Sequence, residues 1–115
     1  MKKINILKKN NDFFRIISKH KFYRTFSYII SIEKKEQENC HFGISVSKKI
    51  GNAIVRNKLK RQIKNIIDKK CYENSFNCII ILRKAILTKS FNKMSEDLYS
   101  AFKTLNILKE EHEKE

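Results

Sequence analysis

The sequence has 115 residues, of which 41% are apolar and 33% are charged, enough apolar content for one modest core. Proline is absent and only two glycines occur, which excludes a collagen-like repeat and argues against long structureless linkers or a second domain. Twenty-six basic and twelve acidic residues leave a formal net charge of +14, which favours an anionic partner such as a nucleic acid, a membrane surface or an acidic protein.

The cysteines and the apolar runs restrict the cellular setting. Three cysteines, an odd number with no Cys-x-x-Cys pair, predict reduced thiols rather than a disulfide framework or a zinc site. The basic first ten residues contain no sustained apolar run, so no secretory signal is expected. The longest apolar run, Cys78 to Leu82, is far shorter than the ~20 residues of a membrane-spanning helix. We therefore expect a cytoplasmic protein that does not enter a membrane.

The first predicted elements are a helix and a strand. Polar residues that suit a helix cap precede apolar residues at helical spacing, which predicts a helix over residues 12–19. The alternation from Phe22 to Ile32 predicts a strand, with Phe26 and Tyr28 on one face. The charged run Glu33–Asn39 contains no core residue and predicts a hairpin loop.

The second half of the chain predicts strands at residues 41–47 and 76–83 and helices at 53–72 and 90–108. The strand at 76–83 is almost wholly apolar, as expected when both faces of a strand are covered. Because a helix connects it to the preceding strand, we expect a βαβ crossover. The predicted fold is an α/β (α+β) two-layer sandwich, a small mixed sheet with helices in the order α-β-β-(β)-α-β-α.

The segment from His41 to Ile67 carries the main functional signal, because it contains seven basic residues and no acidic one. On a helical wheel, Arg56, Lys60 and their cationic neighbours adjoin the apolar stripe of the predicted helix. Such a face suits a phosphate backbone, and the free N–H groups of the helix N-terminus beside it suit an anion. The alternative interpretations of this face are a merely solvated surface or a membrane-bound helix. The membrane-bound helix is disfavoured, because the apolar side of the helix is needed to cover the strands.

Two motifs in this segment carry a resemblance to a known family. Ser-Val-Ser-Lys-Lys-Ile-Gly-Asn-Ala at 45–53 and Val-Arg-Asn-Lys-Leu-Lys-Arg at 55–61 resemble the signature of the bacterial ribonuclease P protein subunit. Weaker similarity extends over about residues 7–108. Length and composition predict a single domain over residues 1–115, ordered over about 8–108 and ending in a charged tail at 109–115, and the resemblance implies that this domain binds RNA.

The resemblance also implies which residues bind RNA. Lys58 and Lys64 stand where the family favours Arg, so the charge is kept but bidentate phosphate contacts are lost. The residues expected to bind the catalytic RNA are Lys48, Lys49, Asn52, Arg56, Asn57, Lys58, Lys60, Arg61 and Lys64. Those expected to bind the 5′ leader of precursor tRNA are Phe13, Ile17, Phe26, Tyr28, Ser45 and Ser47.

Two of these leader candidates, Phe13 and Phe26, are individually as well explained as core residues. Aromatic rings can stack on unpaired bases. The small face formed by Gly43, Ser45 and Ser47 would let a phosphate chain approach the strand closely.

The family resemblance implies that the chain is one subunit of an endoribonuclease, in a 1:1 particle with the catalytic RNA. The chain shows no recognisable catalytic constellation and no metal site, so Mg²⁺ is expected to be held mainly by RNA. The alternatives are a ribosomal or general RNA-binding protein of similar fold and, less favoured, a DNA-binding module without a helix-turn-helix.

Overall fold

The structure, a computed structural model, describes residues 22–34, 40–73 and 76–109 and the backbone of residues 5–6. The predicted helix at 12–19 therefore lies outside the described residues. Within these described ranges the elements are five strands, two α-helices and one short 3-10 helix at Lys84–Thr88. The strands are β1 (Asn5–Ile6), β2 (Phe22–Arg24), β3 (Tyr28–Lys34), β4 (His41–Ser45) and β5 (Phe76–Leu82), and the helices are α1 (Ala53–Asp68) and α2 (Phe91–Thr104).

The five strands form one mixed sheet in the order β1-β4-β5-β3-β2. β4 and β5 are parallel neighbours joined through α1, which confirms the predicted βαβ crossover. β5 also pairs antiparallel with β3, so it separates β3 from β4. The prediction of a hairpin loop at Glu33–Asn39 was therefore wrong: residues 33–34 extend β3, and β3 and β4 are not neighbours in the sheet.

The single strand predicted from Phe22 to Ile32 is in fact a hairpin of β2 and β3. A tight turn separates the two strands, with the Thr25 N–H donating to the Tyr28 carbonyl at 2.7 Å. The Tyr28 N–H donates in return to Thr25 Oγ1 at 2.9 Å. The alternation of the sequence continues through this turn, so the pattern alone gave no sign of the reversal.

Both α-helices cover the same face of the sheet. Their buried stripes, which include Ile63 of α1 and Phe102 of α2, pack on side chains such as Phe42 and Ile80 of the strands. Phe42 lies at the centre of an aromatic cluster, with its ring centroid 5.1 Å from that of Tyr72 and 6.0 Å from that of Phe102. One helix layer on one sheet face is the predicted two-layer α/β architecture.

Both helices end earlier than the periodicity predicts. α1 stops at Asp68 rather than near Tyr72, because the Tyr72 ring folds back into the core and its hydroxyl donates to the Ile67 carbonyl at 2.8 Å. α2 stops at Thr104, where Asn106 adopts a left-handed conformation (φ 62°). The N–H groups of residues 106 and 107 then donate to the carbonyls of residues 103 and 102, which closes the helix in a Schellman motif.

Candidate nucleic-acid interface

The candidate interface begins at the turn between β4 and α1. The Ile50 N–H donates to the Ser47 carbonyl at 3.0 Å, and the Lys49 N–H donates to Ser47 Oγ at 3.0 Å. A Cβ on Gly51 would lie 2.9 Å from Val55 Cβ, so this position favours glycine through close packing. The turn therefore holds Lys48 and Lys49, both exposed, immediately ahead of the helix.

Asn52 caps the first turn of α1, because its Oδ1 accepts a hydrogen bond from the Val55 N–H at 3.0 Å. The first turn contains no acidic residue that would neutralise the positive end of the helix dipole. This part of α1 therefore keeps an electropositive N-terminus next to the two lysines.

The polar face of α1 is cationic along most of its length. Arg56 and Lys60 are half-buried at the edge of the apolar stripe, and Arg56 Nε donates to the Gly51 carbonyl at 3.1 Å. That bond uses one nitrogen of the guanidinium and holds the side chain at the start of the helix. The exposed members of the predicted set on this helix are Asn57, Lys58, Arg61 and Lys64.

No ion pair neutralises this face in the part of the chain that the structure describes. The salt bridges there join Lys93 to Glu96 and Asp97 on the other helix. An internal ion pair of Arg56, Lys60 or Arg61 would have argued against RNA binding. The cations of α1 are therefore available to an external polyanion.

The serine side chains predicted to face the leader occupy two different environments. Ser45 ends β4, pairs in register with Ile81 and is half-buried. Ser47 is exposed, but its hydroxyl oxygen already accepts the Lys49 N–H. Gly43 lies on the same face of β4, nearer the centre of the sheet, and is buried. Part of this small face is therefore covered by other groups.

The two strand aromatics predicted to face the leader lie in different environments. Tyr28 is 0% exposed, on the helix-covered face, and its hydroxyl donates to the Met94 carbonyl at 2.9 Å. Its assignment as a leader contact was wrong, because the whole ring lies in the core. Phe26 is 65% exposed at the tip of the β2–β3 turn. The remaining two leader candidates, Phe13 and Ile17, lie outside the described residues.

A polar row on the sheet face opposite the helices was not predicted. Asn77 Nδ2 donates to Glu33 Oε1 at 2.8 Å, and His41 Nδ1 lies 3.1 Å from Asn77 Oδ1. Since an amide oxygen only accepts, Nδ1 is the donor in the second bond. These three residues are aligned because β5 lies between β3 and β4. The hairpin predicted at Glu33–Asn39 would not have placed them side by side.

A second basic segment was also missed. Residues 74–95 contain four basic residues and no acidic one, a signal visible in the sequence. In the structure, Arg83 and Lys89 of this segment contact the β2–β3 turn.

The described ranges contain no group of three His, Cys, Asp or Glu side chains placed to hold a metal ion. Nor do they contain a helix that is long and apolar enough to cross a membrane. Burial raises the pKa of the Cys40 and Cys78 thiols, so both are disfavoured as thiolates in the folded protein.

Comparisons with known proteins agree on one family. A family model described as ribonuclease P matches residues 1–106. A ribonuclease P protein component from Mesoplasma florum is 41% identical over 101 residues, covering 85% of this chain and 92% of the relative. One from Bacillus cereus is 36% identical over 106 residues, covering 90% of this chain and 92% of the relative.

Solved structures give the same result. An RNase P protein from Staphylococcus aureus superimposes with a TM-score of 0.81 and 29% identity, covering 90% of this chain and 97% of that one. An RNase P protein from Thermotoga maritima superimposes with a TM-score of 0.79 and 25% identity, covering 87% and 96% of the two chains.

Proposed function

The chain belongs to the ribonuclease P protein family, and on that basis we propose how its surface serves the particle. Members of this family are subunits of an endoribonuclease that acts in tRNA 5′ maturation, and the partner of this chain is the ribonuclease P RNA. The family membership sets aside the alternative of a ribosomal or general RNA-binding protein.

The cationic face of α1 is the surface that we assign to the catalytic RNA. Its support is a single observation: five basic side chains project from one helix, and none is engaged in an ion pair within the described ranges. Each phosphate that these side chains neutralise releases condensed counterions, which favours binding at low salt. Lys48, Lys49 and the N-terminus of α1 extend the same surface onto the preceding turn.

We assign the leader of precursor tRNA to the neighbouring end of the sheet. Ser45, Ser47 and the exposed ring of Phe26 support this assignment, because small side chains admit a backbone and an aromatic ring stacks on bases. We also propose that one chain binds each catalytic RNA and that the particle acts in the cytoplasm, where precursor tRNA is made.

The resemblance also implies Mg²⁺, and the described residues do not fit a resident site for it, since they offer no cluster of three ligating side chains. We therefore propose that RNA phosphates hold the metal ions. The protein then contributes positive charge and position, and no chemical step is assigned to its side chains.

Reconstitution tests this function. The full chain alone should cleave no precursor tRNA, and adding the cognate catalytic RNA should give accurate 5′ cleavage at a magnesium concentration too low for the RNA by itself. Arg61→Gln with Lys64→Gln should weaken assembly, whereas Lys103→Gln with Lys109→Gln should not. Wild-type chain that fails to lower the magnesium requirement would contradict the proposal.

A further inference from the structure

The solvent-facing side of α1 carries one large apolar side chain among its cations. Ile54, in the first turn of the helix, is 78% exposed, the highest value among the exposed large apolar residues of the described ranges. The other two, Phe26 and Leu87, lie outside both helices. The exposed positions of α2 carry only polar or charged side chains, namely Asn92, Lys93, Glu96, Ser100, Lys103 and Thr104. Ile54 is therefore an exception on the helical surface.

The isolated protein gains no stability from this side chain. At 100° per residue, Ile54 projects from the side of α1 opposite to the buried Leu59 and Ile63, so it contributes nothing to the core. Its β-branched side chain also makes it a poorer helix former than alanine. The apolar surface of Ile54 can therefore contribute free energy only when a partner removes it from water.

The surroundings of Ile54 indicate the charge of that partner. Lys58 and Arg61 follow Ile54 at spacings of four and seven residues, so all three lie along one side of the helix. Both cations are exposed, and the ion pairs found within the described ranges do not involve them. The sequence has no acidic residue from position 41 to position 67. A partner that covers Ile54 must therefore bring negative charge to the edges of an apolar surface.

An unpaired nucleotide has both properties, because its phosphates are anionic and its base presents a face that pairing and stacking would otherwise cover. We propose that Ile54 packs on the base of one unpaired nucleotide of the catalytic RNA, with Lys58 and Arg61 beside the flanking phosphates. This inference rests on the proposed function and deepens it, since it adds a base contact to a face otherwise assigned to phosphates. A second copy of this chain fits poorly, because each copy carries a formal charge of +14.

Replacement of Ile54 by lysine gives the sharpest test, because charge and apolar contact then predict opposite results. If α1 bound RNA through charge alone, an added cation would tighten binding. We expect Ile54→Lys instead to weaken binding of the full chain to the catalytic RNA by about tenfold, measured at fixed salt without precursor tRNA. The matched control Ser100→Lys adds the same charge at an exposed position of α2 and should not weaken binding. Equal or tighter binding by Ile54→Lys would overturn the proposal.

The salt dependence of Ile54→Ala gives the second test. This variant should also lose about tenfold in affinity, but the slope of log affinity against log salt should stay at the wild-type value, because no cation is removed. Ile54→Leu should retain the affinity within twofold. Urea titration should show Ile54→Ala to be no less stable than wild type, so the loss does not come from unfolding. Affinity of Ile54→Ala within twofold of wild type, or a loss that disappears at high salt, would refute the base contact.

Acylation of the 2′-hydroxyl groups of the bound RNA locates the nucleotide. One unpaired nucleotide should be protected by the wild-type chain and by Ile54→Leu, and should become reactive with Ile54→Ala. Changes confined to paired nucleotides would overturn the proposal, as would self-association of the chain that Ile54→Ala abolishes without changing RNA affinity. These results would leave the cationic interface of α1 in place. Failure of the wild-type chain to bind the catalytic RNA at all would instead contradict the proposed function.

Discussion

The helices α1 and α2 are alike toward the core and opposite toward solvent. α1 buries Leu59, Ile63, Ile66 and Ile67, and α2 buries an equivalent stripe of four residues on the same sheet face. Outward, α1 carries five basic residues and one acidic residue, a formal charge of +4. α2 carries two of each and no formal charge.

This contrast separates the requirements of folding from those of function. Packing on the sheet needs only an apolar stripe, which both helices provide. Balanced charges on α2 form i,i+3 and i,i+4 ion pairs, as an ordinary solvated face does. The unbalanced charge of α1 gains nothing for the isolated protein, which is the basis on which we assign this face to a polyanionic partner.

The core-facing sides of α1 and α2 can be compared by shortening one buried side chain in each helix. Ile63→Ala in α1 and Leu98→Ala in α2 each remove a side chain that is 0% exposed. Each should lower the free energy of unfolding by about 2–5 kcal/mol, because a cavity remains. Urea titrations check this, and a loss below about 1 kcal/mol for either variant would show that its helix is not packed as described.

The charge difference between the solvent-facing sides of α1 and α2 can be tested with matched double variants. Arg61→Gln with Lys64→Gln removes two exposed cations of α1, and affinity for the catalytic RNA should fall about 10- to 100-fold at low salt, with a salt slope smaller by roughly 1.5–2. Lys103→Gln with Lys109→Gln removes the same charge at the end of α2 and just beyond it. This control should change the affinity less than twofold, and equal losses would mean that net charge alone drives binding.

The N-caps of α1 and α2 should contribute equally to stability, but a charge change at the N-cap of α1 should also affect RNA binding. Asn52→Ala and Ser90→Ala each remove a side-chain acceptor of a helix N–H and should each cost about 1 kcal/mol of stability. Asn52→Asp keeps the cap and its stability but puts a negative charge on the surface that we assign to the catalytic RNA. We expect it to weaken RNA binding several-fold without lowering the thermal midpoint, and unchanged binding would place Asn52 outside the interface.

The buried tyrosines give the smallest expected effects. Tyr28 donates to the Met94 carbonyl of α2 and Tyr72 to the Ile67 carbonyl of α1, so Tyr→Phe at either position should cost about 0.5–1.5 kcal/mol.

Burial raises the pKa of both phenols in the folded state, with Asp97 adding to the shift of Tyr28 and Tyr99 to that of Tyr72. Their contribution to stability is therefore complete below the ordinary phenol pKa of about 10 and is lost as the pH rises beyond it. An alkaline titration of tyrosinate absorbance should show these two ionising only with unfolding, and early ionisation of all four would contradict their burial.

Much of the fold could be predicted because it depends on local periodicity. The apolar stripes of the two helices and the apolar run at 76–82 are visible in the sequence, and their order predicts the crossover. The turn at Thr25–Ser27 could not be seen, since Phe26 continues the alternation while leaving the sheet. The pairing of β5 between β3 and β4 is non-local and leaves no trace in any single segment.

The candidate site was predictable to the extent that it is made by one segment. The charges of residues 48–64 are contiguous, so the sequence indicates the α1 face directly. The aromatic positions depend on which side of the sheet a residue faces, and one misplaced turn moved Tyr28 from the interface into the core. Lys89 comes beside Phe26 only through the sheet register, which no local pattern encodes.

The central place of β5 has a consequence for how the protein is made. β3 and β4 each depend on β5 for their backbone partners on one side, yet β5 follows both of them and α1 in the chain. The strongly basic α1 therefore emerges from the ribosome before the strand that joins its supporting strands. Completion of the sheet waits for the residues up to Leu82, so under the proposed function α1 would be exposed to RNA before the sheet beneath it has formed.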